Sequence, residues 1–320
     1  MKIVFLGSGE FGLECLNALA RSSHSLLYIV TQPPHPAGRG RKPTPTPAAC
    51  WADSNSTPYI ETDNINTPQI IEKISSYSPE LLVVIAFGRK IGNELIALPP
   101  AGAINVHASL LPKYRGAAPI NRAIINGEKQ TGVSIIALAE KMDAGDILAQ
   151  SATDIGTDET AGRLHDRLAK IAAPLLLKTL DEIENGTASY TPQNHSEATL
   201  APKLKKSDGF LDFNEPAEVL QRKIRGFWPW PGASAMYISR ETESAKGGLR
   251  VTIAMAEVIQ TSNPAHLPPG TLDENLNVIC ARDALKITKI KPTGSRLMDF
   301  RDFVNGHRTE TGDSFIKIEQ

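Results

Sequence analysis

The chain has 320 residues, 41% hydrophobic and 22% charged, with a formal net charge of -1. That length accommodates two domains with separate cores. The near-neutral charge excludes binding of nucleic acid through bulk electrostatics alone and directs attention to local basic clusters. Cys15, Cys50 and Cys280 are far apart, with no CxxC and no histidine at zinc spacing. This argues against a disulfide framework and a zinc site and fits a reducing cytoplasm. No run approaches the ~20 apolar residues of a membrane span, and MKIVFLGSGEFG enters a strand and glycine turn without the pattern of a signal peptide.

KIVFLGSGEFGLECLNAL predicts a strand, a tight turn and a helix. The turn spells G-x-G-x-x-G with Gly7, Gly9 and Gly12, the dinucleotide fingerprint. That fingerprint expects an acid about 20 residues further on, yet after Glu14 the next acid is Asp53. Glycines that let helix and strand pack closely are the better reading; an NADP site served by Arg39 and Arg41 is the alternative. A second strand, SLLYIVT, leads into TQPPHPAGRGRKPTPTPAA, residues 31–49, which is proline-rich and free of acids. It is read as an exposed loop without a regular element. Its tip carries Arg39, Arg41 and Lys42 among glycines, which suits contact with a polyanion better than a plain connection.

A helix capped by Thr67 is expected over 67–78, then a doubly buried strand at 81–87 ending in Gly88, and a short apolar-patterned segment to Leu98. Strands alternating with crossovers of this length predict a doubly wound, mostly parallel α/β sheet of Rossmann-like type. AINVHASLLPKYRGAAPINRAI, residues 103–124, supplies the next strand. Its alternation places Asn105, His107 and Ser109 on one face, at the carboxyl edge where open α/β sheets bind ligands. A satisfied histidine beside a helix start is the ordinary reading of a lone His. Here the shared face with Asn105 and the Pro/Gly loop favour a functional site. A helix entered at Pro119 follows, in a stretch bordered by Lys113, Arg115 and Arg122, with no acid between Glu94 and Glu128. Next come a strand at 132–138, a turn carrying Asp143, Gly145 and Asp146, and a long helical pattern over 158–185 that stops at Asn185-Gly186.

Asn105, His107 and Asp143 offer an amide donor, an imidazole and a carboxylate without a serine or cysteine in a nucleophile context, so covalent acyl-enzyme chemistry is disfavoured. For amine attack on an acyl carbon, an Asn side chain and a protonated His can stabilise the oxyanion, each such donor being worth ~3 kcal/mol. A nearby carboxylate can orient the imidazole and assist loss of the amine proton. INVHASLLPKYRGAAPI followed by Asp143-Ala144-Gly145-Asp146 resembles the formyltransferase family that uses 10-formyltetrahydrofolate. The resemblance implies Asn105, His107 and Asp143 as catalytic residues. It implies Gly88, Ser109, Leu110, Leu111 and Pro112 as holding the folate, with no metal and no NAD(P). Ala108 stands where the family often has Gly, and Tyr114 where Trp or Phe can occur. The 31–49 loop is similar to the insertion of those members that act on methionyl initiator tRNA, which implies that Arg39, Arg41 and Lys42 contact the acceptor arm. A sugar-nucleotide amine is the alternative acceptor. A tRNA-binding module without catalysis would leave Asn105 and His107 idle.

Composition divides the chain into a catalytic domain at 1–189, a polar linker at 190–206 and a second domain at 207–320. Lys203, Lys205 and Lys206 at the linker's end suit either a solvated surface or a phosphate contact. A helix over 216–225 runs into Phe227-Trp228-Pro229-Trp230-Pro231, read as a core plug in preference to a stacking platform for bases. Short β-rich runs with Gly/Pro/Asn turns predict a small antiparallel barrel. An OB-like, tRNA-binding barrel matches the family. Lys289 and Lys291 share a strand face near Lys286 and could form a basic groove. An amphipathic helix over 298–308 closes the domain, and the protein is expected to be a monomer.

Overall fold

The apolar runs of the first half assemble into one sheet. The computed structural model describes residues 1–37, 42–240, 248–262 and 266–319. The strands are β1 (Lys2–Gly7), β2 (Ser25–Thr31), β3 (His35–Ala37), β4 (Lys42–Thr44), β5 (Tyr59–Glu61), β6 (Leu81–Ile85), β7 (Ala103–His107), β8 (Gln130–Ala137) and β9 (Ile147–Asp154). Between them run α1 (Leu13–Ala20), α2 (Pro47–Ser54), α3 (Pro68–Ser75), α4 (Asn93–Ile96) and α5 (Pro119–Ile125), and α6 (Ala161–Glu184) follows. The main sheet has the order β5-β2-β1-β6-β7-β8-β9. From β5 to β7 the neighbours are parallel, while β8 and β9 are antiparallel. β6 is buried at every position, as a parallel strand covered on both faces must be.

Gly7 and Gly12 are explained by packing. A Cβ on Gly7 would lie 2.7 Å from Ile85 O, and one on Gly12 would lie 2.9 Å from the Phe5 ring. The 31–49 stretch departs from the expected irregular loop. β3 and β4 pair antiparallel, and α2 already begins at Pro47. The pairing sets Pro36 opposite Pro43, so both residues that lack an N–H occupy one rung and the flanking rungs keep their donors. Thr46 caps α2, its hydroxyl accepting from Ala49 N–H at 3.1 Å. Thr67 sits at the cap of α3 as expected, yet its side chain makes no cap hydrogen bond. Arg39 and Arg41 lie outside the described residues.

The chain divides into two compact units, the first made of Met1–Pro119, Gln130–Asp154 and Leu164–Pro202. Much of the segment read as a linker is tied into this unit. Thr191 bridges Ile147 and Leu200 bridges Arg115, and Ala118 N–H donates to Ala201 O at 3.1 Å.

The second unit comprises Ile120–Lys129, Ile155–Arg163 and Lys203–Gln320. Its elements are α7 (Ala217–Phe227), β10 (Ala233–Ile238), β11 (Leu249–Ile259), β12 (Val278–Ile279), β13 (Ala284–Pro292), β14 (Met298–Asp299), α8 (Phe300–His307) and β15 (Ser314–Ile316). The strand order β12-β13-β11-β10-β15 is antiparallel throughout. Leu272 bridges Val278 and Thr271 bridges Ser314. Residues 271–272 thus join the two edge strands into a nearly closed barrel, which limits unpaired edge. Leu220 and Ile224 of α7, Tyr237, Ile253, Ile287, Phe303 and Phe315 fill its core. Of the Phe227–Pro231 run read as a core plug, Phe227 is buried and Trp228 half-buried, but Trp230 is 55% exposed, so only the start of the run packs inward. Of the three β13 lysines, Lys286 pairs with Glu257 at 3.6 Å and Lys289 with Asp299 at 2.9 Å. Those partners offset much of the positive charge a basic groove would need.

Candidate active site

β7 lies at the seam of the sheet, parallel to β6 through Val84 opposite Asn105 and antiparallel to β8 through His107 opposite Ser134. Because strand side chains alternate, Asn105 and His107 project to the same face. Asp143 approaches them from the loop between β8 and β9. Its Oδ1 accepts from Asn105 Nδ2 at 3.5 Å, and its Oδ2 lies 3.7 Å from His107 Nδ1. The three side chains meet, as the shared face predicts for the first two. His107 is 6% exposed and the Asp143 side chain 13%.

The His107 tautomer follows from its neighbours. Nε2 lies 2.9 Å from Tyr114 O, a carbonyl that can only accept. Nε2 therefore carries a proton, and the nitrogen free to gain or lose one is Nδ1, on the Asp143 side. Asp143 adopts φ +51, in the left-handed region that Asp tolerates better than most residues. Its Oδ2 also accepts from Gly116 N–H at 2.8 Å. Two residues on, a Cβ at Gly145 would lie 1.9 Å from Ala137 O, so the loop can follow this path only with glycine there.

The turn after β7 is fixed from beneath. Ser109 Oγ donates to Lys113 O at 2.7 Å, which commits the hydroxyl to the turn itself. Ser134 Oγ donates to Ser109 O at 2.6 Å and accepts from Leu111 N–H at 3.0 Å. Gln150 Nε2 reaches Leu111 O at 2.9 Å. Leu111 is buried, while Leu110 and Pro112 are half-buried. Gly88 stands beyond the carboxyl end of β6 at φ +75, where a Cβ would lie 2.8 Å from Gln32 Nε2. Lys42, Lys203, Lys205 and Lys206 are exposed.

Sequence reasoning missed Ser134, Gln150, Gly116 and Gln193. Only Ser134 carried a signal, a polar residue inside the apolar run GVSIIAL.

The profile described as "Formyl transferase" matches residues 1–180, and that described as "Formyl transferase, C-terminal domain" matches residues 203–308. The chain belongs to the formyl transferase family. A protein of Methylococcus capsulatus named methionyl-tRNA formyltransferase is 37% identical over 310 residues, covering 96% of this chain and 97% of its own. Its namesake in Halalkalibacterium halodurans is 39% identical, covering 96% and 95%. Among solved structures, an N-formyltransferase of Helicobacter canadensis in complex with folinic acid and dTDP-3-aminofucose superposes with a TM-score of 0.61 at 16% identity, covering 91% of this chain and 99% of that one. HypX of Aquifex aeolicus in complex with tetrahydrofolic acid gives 0.60 at 18% identity; the alignment covers all of this chain but only 51% of HypX. At these identities the structures establish a shared fold. Within this formyl transferase fold, β7 and the 138–146 loop carry the Asn-His-Asp cluster.

Proposed function

We propose that the chain transfers the formyl group of 10-formyltetrahydrofolate to the free α-amine of methionyl initiator tRNA. What carries the acceptor is the match over nearly the whole of both chains to relatives named methionyl-tRNA formyltransferase. The amine nitrogen attacks the formyl carbon, and its C=O becomes an oxyanion. Asn105 Nδ2 and the protonated Nδ1 of His107 stabilise that charge. Asp143 holds His107 in place and accepts the amine proton. Collapse of the tetrahedral intermediate re-forms the C=O and breaks the bond to N10 of the folate, which takes up a proton. Formylmethionyl-tRNA and tetrahydrofolate leave, with no covalent enzyme intermediate and no metal.

Gly88, Ser109, Leu110, Leu111 and Pro112 hold the folate, Ser109 through the turn it stabilises rather than through its hydroxyl. Arg39, Arg41, Lys42, Lys203, Lys205 and Lys206 meet tRNA phosphates. The protein works as a monomer in the cytoplasm. The test is transfer of labelled formyl from the donor to charged initiator tRNA. Asn105→Ala should lower turnover about 100-fold or more, the scale of losing one oxyanion donor, and Asp143→Ala about 100-fold or more, the scale of losing a general base, with the melting temperature nearly kept. A variant that keeps parental turnover removes its residue from the chemistry. A parent that formylates only a sugar-nucleotide amine overturns the acceptor.

A further inference from the structure

Gln193 comes from the polar segment after α6 and is 6% exposed. An amide at that depth needs its hydrogen-bonding groups met, and here one orientation meets them. Arg115 donates to one end of the amide from Nε at 3.2 Å and Nη2 at 2.6 Å. A guanidinium has no acceptor, so that end is Oε1. Nε2 then points at Asp143 O at 2.9 Å and Gly145 O at 2.7 Å, two carbonyls that can only accept. All four contacts demand the same sense of the amide.

Arg115 is itself held by the segment that carries Gln193. Its N–H donates to Thr199 O at 2.9 Å, its carbonyl accepts from Ala201 N–H at 2.7 Å, and Nη2 donates to His195 Nδ1 at 2.9 Å. The next residue, Gly116, gives its N–H to the Asp143 carboxylate. The contacts close a ring from Arg115 through Gln193 to the main chain of Asp143, and from the Asp143 carboxylate through Gly116 back to Arg115. Asp143 sits at φ +51, a conformation that persists where surrounding structure enforces it.

We propose that Gln193 is a positioning residue for Asp143, with Arg115 fixing the sense of the Gln193 amide, so that residues 191–201 form a strap completing the active site. The inference rests on the reading of Asp143 as a catalytic carboxylate. Gln193→Met keeps length and bulk and removes both hydrogen-bonding ends. It should lower kcat about 10- to 100-fold, the scale of a small misplacement of a reacting group, and leave KM for the folate donor within about twofold, since the donor's turn is held by Ser134 and Gln150.

Two further measurements separate positioning from general damage. On an Asp143→Asn background, Gln193→Met should cost almost nothing more, because groups acting as a unit are not additive. Losses that multiply would overturn the proposal. Amide hydrogen exchange at Gly116, read on the parent and on Gln193→Met without any substrate, should speed up at least tenfold in the variant, and unchanged exchange overturns the proposal whatever the acceptor is. If Gln193→Met does not fold, Gln193→Asn keeps the amide but shortens its reach, and the same exchange measurement decides. Failure of the parent to formylate charged initiator tRNA would instead overturn the acceptor assignment.

Discussion

Cys15 and Cys280 are buried, and burial pushes both thiols up to about 12, whereas Cys50 is exposed. Only a thiolate attacks an alkylating reagent, so at pH 8 the two core cysteines hold almost none of the reactive form. Mild alkylation should therefore label Cys50 and stop at one adduct per chain, as read by peptide mass spectrometry. Labelling of Cys15 at a comparable rate would mean that the packing around α1 opens. The same division between local pattern and tertiary environment governs the active site. Asn105 and His107 were legible in the sequence because a two-residue period fixes their common face. Asp143 was grouped with them for its carboxylate and given its catalytic role by the family resemblance, since nothing between residues 107 and 143 dictates that the two meet. Gln193 left no trace, because its partners at Arg115, Asp143 and Gly145 are set by the fold and not by spacing. Gly116 is similar: its N–H matters, and a sequence shows side chains.

At the scale of elements, Asp212 ahead of α7 is joined to Lys317 beyond β15 at 2.9 Å. The Lys317 ammonium and the Asn214 amide hold its carboxyl down at about 2, against an ordinary value of 3.8. A carboxyl lowered in the folded state adds stability above its unfolded value, and that stability is lost as pH falls through the folded one. Urea midpoints of the parent should thus fall between pH 4 and 2 more steeply than those of Asp212→Asn, which starts lower at pH 7. Parallel curves would show that the pair contributes nothing. Most elements were legible from apolar periodicity, β6 above all. The β3–β4 hairpin was not, because proline-rich composition argues against strands. Setting Pro36 against Pro43 removes that objection, and only the register reveals it.

For the whole molecule, a net charge of -1 means that affinity for a polyanion must come from a few clustered groups. If Arg39, Arg41 and Lys42 meet phosphates, the triple alanine variant should lose transfer to tRNA while KM for the donor stays unchanged. The slope of log kcat/KM for tRNA against log salt should become shallower by roughly one for each phosphate that is no longer neutralised. An unchanged slope would remove the loop from tRNA binding.

The two units are interleaved along the chain. The first takes residues 1–119, 130–154 and 164–202, and the second takes 120–129, 155–163 and 203–320. Synthesis runs from the amino-terminal side, so β8 and β9, the antiparallel edge of the main sheet, leave the ribosome after ten residues of a second unit most of which is not yet made. The strap bearing Gln193 is the last part of the first unit to emerge. The loop holding Asp143 is thus made well before the amide that holds it, and no fragment ending at residue 189 contains both. On the growing chain the parallel sheet can form early, and the carboxylate is locked in place only when synthesis has passed Ala201.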